Sequence, residues 1–149
     1  MALKQQIQTE MMEAMKVKDE LRVGVLRMLK AAILKFEVAG SEKKDATDEE
    51  VLQIINKEIK QRRDSAAQFK EGNRFESAEK EEKEIEVLLA YMPPQMSEDE
   101  LKKVITEVIA EVGAKSKQDM GRVMGTVMDK VKGQADGGMV KDIVASLLP

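Results

Sequence analysis

Met92-Pro93-Pro94-Gln95 interrupts a chain whose apolar residues otherwise recur at helical spacing. Two adjacent prolines remove two backbone donors and push the residues before them out of helical geometry, so no helix runs through this point. On either side the period is close to 3.6, and nothing alternates like a strand for long. Leu3, Ile7, Met11 and Met15 mark a first helix, and a second spans about Asp19 to Ala39 with Leu21, Val25, Met28, Leu29, Ala32, Ile33 and Phe36 inward. The polar stretch Gly40–Ala46 is a loop, and Thr47-Asp48-Glu49-Glu50 has the form of a capping box, in which hydroxyl and carboxylate each satisfy a free amide. Val51, Ile55, Ile59, Ala66 and Phe69 trace a third helix that Gly72-Asn73 stops, and Phe75, Ala78, Ile85, Leu88 and Leu89 trace a fourth.

Beyond the prolines, Ser97-Glu98-Asp99-Glu100 reads as a second capping box opening a helix along Leu101, Val104, Ile105, Val108, Ile109 and Val112, closed by Gly113. Ser116–Asp119 offers a cap for the next, whose face is Met120, Val123, Met124, Val127, Met128 and Val131. Asp136-Gly137-Gly138 caps a last helix carrying Met139, Val140, Ile143, Val144, Leu147 and Leu148. The pattern predicts an all-α protein with a four-helix N-terminal domain over 1–92 and a three-helix domain over 95–149.

The residue types that are missing narrow the chemistry. Among 149 residues there is no Cys and no His, which removes a thiol nucleophile, an imidazole base and an ordinary zinc site. No apolar run reaches membrane-spanning length, and the first twenty residues hold acids rather than a cleavable apolar segment. A cytoplasmic location is expected, with no membrane partner. The net charge of −3 argues against coating nucleic acid by bulk charge, and DNA is not an expected partner. The distribution is uneven: residues 45–94 hold eight basic groups against thirteen acidic, whereas 113–149 hold six against four.

Individual constellations divide between structure and function. Glu79, Glu81, Glu82, Glu84 and Glu86 form the densest carboxylate run, but no oxygen-rich loop with cation-ligand spacing accompanies them. A solvated helix face with pairs such as Glu79–Lys83 and Lys80–Glu84 is the stronger reading. In Lys60-Gln61-Arg62-Arg63-Asp64, Arg62 shares the stripe of Ile55, Ile59 and Ala66, which turns its guanidinium toward the acidic fourth helix. A structural ion pair is favoured there over a phosphate clamp. No serine has a base beside it, and the glycines do not form a phosphate-cradling loop after a strand. No catalytic residue, metal ligand or cofactor is assigned.

Gly121 and Gly125 stand inside a helical pattern, where each costs about 0.5–1 kcal/mol against alanine. Close packing of a neighbouring helix is the first explanation for them. The second is that the helix start presents bare amides and a positive dipole to a backbone phosphate. On a helical wheel both glycines fall beside the Met124/Met128 edge together with Lys132, while Arg122 points the other way.

The segment Asp119-Met120-Gly121-Arg122-Val123-Met124, followed by Lys132-Gly133-Gln134-Ala135-Asp136-Gly137, resembles the tail of the GatB subunit of glutamine-dependent aminoacyl-tRNA amidotransferases and the YqeY-like proteins that share that tail. The resemblance extends upstream through Arg27-Met28-Leu29-Lys30, Lys60-Gln61-Arg62-Arg63-Asp64-Ser65, Tyr91-Met92-Pro93 and Ile109-Ala110-Glu111-Val112-Gly113-Ala114, and so covers essentially the whole chain. It implies a helical tail that contacts tRNA, gripped through shape and backbone. The candidate contacts are Lys115, Lys117, Gly121, Arg122, Lys130, Lys132 and Lys141. It also implies proximity to translation or amidotransferase proteins. The leading expectation is a tRNA-binding module without its own catalytic site. The alternatives are participation in carbon–nitrogen ligation with glutamine as amide donor, and a protein-interaction adaptor working through the Met-rich face of the sixth helix.

Overall fold

The computed structural model describes residues 2–149, and every regular element among them is helical. They form two compact units, divided in sequence between Met92 and Pro93.

The first unit contains α1 (Leu3–Lys16), α2 (Glu20–Glu37), α3 (Asp48–Glu71) and α4 (Phe75–Leu89). Its core is built from Ile7, Met11, Val25, Leu26, Leu29, Ile33, Val51, Ile55, Ile59, Ile85 and Leu88. These follow the expected stripes with local exceptions. Ala14 is buried where Met15 was expected, and Leu26 is fully buried while Met28 is exposed. Phe75 is exposed as well.

Helix ends account for much of the local order. Asp19 caps α2 by accepting from the Arg22 amide at 3.2 Å. At α3 the capping box forms in full: Glu50 N–H donates to Thr47 Oγ1 at 3.2 Å, and Thr47 N–H donates to Glu50 Oε1 at 3.1 Å. Asp48 reaches further and accepts from the first amide of α1, Leu3 N–H, at 3.0 Å. The stop after α3 falls on Asn73, which takes the left-handed conformation at φ 60°, while Gly72 stays at φ −86°. The segment after α2 folds back on that helix. Lys44 N–H donates to the Glu37 carbonyl at 3.1 Å, and Ala46 N–H donates to the Glu37 carboxylate at 2.8 Å.

The second unit contains α5 (Glu98–Val112), a 3-10 turn (Lys117–Asp119), α6 (Met120–Lys130) and α7 (Gly137–Leu147). Leu101, Ile105, Val108, Val123, Val127, Val131, Val140, Ile143, Val144 and Leu148 form its core. Ser97 caps α5 by accepting from Glu100 N–H at 3.2 Å, but the return bond of a full capping box is not made. Gly113 closes α5 in the left-handed region at φ 67°, which a side chain would strain. Gln95 ties the proline segment to the turn after α6, its amide donating to both Pro93 O and Gly133 O at 2.8 Å. Met96 N–H adds a bond to Gln134 O, also at 2.8 Å.

Candidate nucleic-acid interface

The approach to α6 is arranged by Asp119. Its carboxylate accepts from Lys115 N–H at 2.9 Å and meets the Arg122 guanidinium at 3.1 Å. The Lys115 bond, aided by the Ser116 amide and the Arg122 charge, holds this carboxyl below its ordinary range. Ser116 caps the 3-10 turn by accepting from Gln118 N–H at 3.3 Å, so it does not cap α6. Asp119 occupies the α6 N-cap without a side-chain capping bond. A fixed negative charge therefore stands where the dipole would favour an anion, which weakens a phosphate site at the bare helix start.

The two glycines give a different result from the packing explanation. Gly121 and Gly125 are exposed, and a Cβ at either would meet nothing within 4 Å. Among the described residues no neighbouring helix presses on them. Their face of α6 is bare backbone open to an outside molecule, at a helix-propensity cost of about 0.5–1 kcal/mol each. The same helix turns Val123 and Val127 fully inward, with Met120, Met124 and Met128 packed on the core edge. The three methionines are half-buried, so only part of each contributes to the Met-rich surface of the adaptor reading.

The candidate cations separate into two groups. Arg122 is paired with Asp119, and Lys130 is paired with Glu111 at 2.8 Å. Lys115, Lys117, Lys132 and Lys141 are exposed, with no ion pair to a carboxylate among the described residues. A pairing side chain would have to be displaced before Arg122 or Lys130 could engage a phosphate; the four lysines need no such exchange.

Outside this unit, Arg62 is turned onto α4 as its helical position predicts. It is 7% exposed, pairs with Glu84, and lies 3.4 Å from Glu81. Its second terminal nitrogen sits 3.5 Å from Met28 Sδ. The carboxylate run of α4 is also engaged elsewhere, Glu79 by Lys83 at 3.4 Å and Glu82 by Lys70 at 2.5 Å. Lys80–Glu84 is not the pair that forms, because Glu84 faces Arg62. Glu37 is a charged group that sequence reasoning missed. It is 5% exposed and ion-paired with Lys4, whose hydrogen bond, followed by that of the Ala46 amide, depresses its pKa.

Over residues 4–148 the sequence matches the family of YqeY-like proteins. The chain belongs to that family. Among relatives of the YqeY-like chain, the "Altered inheritance of mitochondria protein 41, mitochondrial" of Pyrenophora tritici-repentis is 28% identical over 131 residues, which are 87% of this chain and 71% of that protein. The protein of the same name from Clavispora lusitaniae is 26% identical over 152 residues, or 99% of this chain and 86% of the relative. An uncharacterized protein of Schizosaccharomyces pombe is 33% identical over 92 residues, 61% of this chain and 72% of that one.

These relatives overturn the cytoplasmic expectation, since the first two carry "mitochondrial" in their names. The physical reason is that cysteine usage and hydropathy do not separate the cytoplasm from an organelle interior. Among the described residues no helix is long and apolar enough to cross a membrane.

Proposed function

We propose that this YqeY-like protein is an RNA-binding module whose second unit, acting as a self-standing three-helix domain of the GatB-tail kind, grips tRNA through its phosphate backbone. The observation that carries the reading is the open glycine face of α6, where a Cβ on Gly121 or Gly125 would meet nothing within 4 Å among the described residues. A fold has no use for two unpacked glycines inside a helix, whereas a ligand that must approach the backbone closely does. Exposed Lys115, Lys117, Lys132 and Lys141 supply charge without first breaking an ion pair, so electrostatic contact with phosphates carries little exchange cost. Arg122 and Lys130 join only by leaving Asp119 and Glu111.

The test is a titration of the isotope-labelled protein with unmodified tRNA, followed by amide resonances. The expected perturbations centre on residues 115–133 and Lys141. Perturbations confined to residues 2–92, or none at low salt, would refute the reading.

A further inference from the structure

In the first unit the buried Arg62 guanidinium is served unequally at its two edges. Nη1 pairs with Glu84 and lies 3.4 Å from Glu81. Nε and Nη2 share the other edge, the one with which arginine grips an acceptor side-on. There Nη2 meets Met28 Sδ at 3.5 Å. Nε is shielded from solvent and has no hydrogen-bond partner among the described residues. A thioether is only a weak acceptor, so this edge is under-satisfied, which is rare for a buried charged donor.

A stronger acceptor would complete the edge, and it has to be neutral. Arg62 already faces two carboxylates, and a third anion would be repelled by both. Met28 can supply such an acceptor from its own sulfur, because oxidation turns a thioether into a sulfoxide, a neutral group with a strongly polar oxygen. At 57% exposure it is the most open of the described methionines, ahead of Met12, Met15 and Met139. The chain has no cysteine to consume an oxidant first. Its sulfur is therefore both within reach of a dissolved oxidant and placed against donors that favour the oxidised form.

We propose that Met28 is an oxidation site for hydroperoxides, and that its sulfoxide oxygen accepts from Arg62 Nε–H and Nη2–H. A sulfur lone pair attacks the distal peroxide oxygen; the O–O bond breaks and an S–O bond forms. The proton of the distal oxygen passes to the leaving oxygen, which departs as water or an alcohol. Sulfur is oxidised by two electrons, and the peroxide is reduced by two. Rotation of the unbranched side chain then turns the new oxygen onto the guanidinium edge. The result is a charge-assisted bond from α2 to α3, beside the pairs that already join α3 to α4. Oxidation here tightens the first unit, the reverse of what a sulfoxide does inside an apolar core. None of these residues belongs to the second unit, so the site is independent of the tRNA reading.

The experiment treats the full-length, isotope-labelled protein with millimolar hydrogen peroxide and maps the oxidised methionines by peptide mass spectrometry. Met28 should be converted along with Met12 and Met15. As it is, the Arg62 Nε–H resonance should shift, and its exchange with water should slow about tenfold, as one added hydrogen bond implies. A Met12→Leu/Met15→Leu/Met139→Leu protein then isolates the thermal effect. Its first unit should melt about 4–8 °C higher after oxidation, the effect of one such bond on a unit of this size. Met28→Gln, a neutral acceptor of similar length, should reproduce both changes without peroxide, and Met28→Leu should show neither with it. The proposal is overturned if Met28 stays reduced while Met12 and Met15 are oxidised, or if its oxidation lowers the melting temperature. It is equally overturned if the Arg62 Nε–H resonance is the same in the oxidised protein as in Met28→Leu.

Discussion

The first unit turns charge inward, whereas the second keeps it at the surface. Among the described residues the two buried charged side chains, Glu37 and Arg62, lie in the first unit, each tied to an opposite charge. The second unit packs its α5–α7 core from Leu, Ile and Val with one Ala. It also carries unpacked glycines inside a helix, and lysines without carboxylate partners. The two buried charges of the first unit are thus explained by its own fold. The open glycines of the second have no such internal explanation, which is why the proposal assigns them to a ligand.

The largest expected effect breaks the first unit. Arg62→Ala would leave Glu84 and Glu81 facing each other without their cation, and removing one partner of a buried pair costs about 3–5 kcal/mol. Urea denaturation followed by circular dichroism measures it. A loss below about 1 kcal/mol would mean that the pair is effectively solvated, and the contrast in charge burial would vanish.

A smaller effect concerns the glycine face. Because a Cβ meets open space at both positions, Gly121→Ala and Gly125→Ala should each stabilise the protein by about 0.5–1 kcal/mol. The same changes should weaken tRNA binding. Gly121→Val should lower affinity further without a packing penalty, although its stiff side chain gains less helix propensity. Thermal melts and tRNA titrations on the same samples would decide this. Stabilisation without any loss of affinity would remove the reason for assigning these glycines to a ligand.

The smallest effect sharpens the comparison through pH. The Lys4 hydrogen bond and the Ala46 amide hold Glu37 below its ordinary value of 4.5. Its contribution to stability is therefore whole above that value and fades as pH falls through the lower, folded-state pKa. Glu37→Gln should flatten this acid limb in melts taken below about pH 4.5. An unchanged limb would show that other carboxylates dominate it.

Much of the fold was legible because caps and periodicity are local. Thr47–Glu50, Ser97 and the inward turn of Arg62 follow from spacing along one helix. Errors arose where a neighbour decides. A wheel cannot tell whether Leu26 or Met28 lies nearer the adjoining helices, and Met28 is instead beside the Arg62 guanidinium. Glu37 was invisible because its burial depends on the 38–47 segment folding back and on Lys4, which is 33 residues away. At the candidate interface the cations could be named from sequence. Which of them were already paired, and whether anything packed on Gly121, required three dimensions.

The central claim is that the second unit grips phosphates with its unpaired lysines. The most direct measurement is the salt dependence of tRNA affinity for the wild type, for Lys117→Glu/Lys132→Glu, and for a control reversal in the first unit, Lys35→Glu/Lys57→Glu. Engagement of about three to five phosphates predicts a log–log slope of roughly −2 to −4 for the wild type and the control. The second-unit reversal should give a shallower slope and weaker binding to every tRNA tried, with helicity unchanged. Equal slopes and affinities for all three proteins, or a loss only in the first-unit control, would contradict the account.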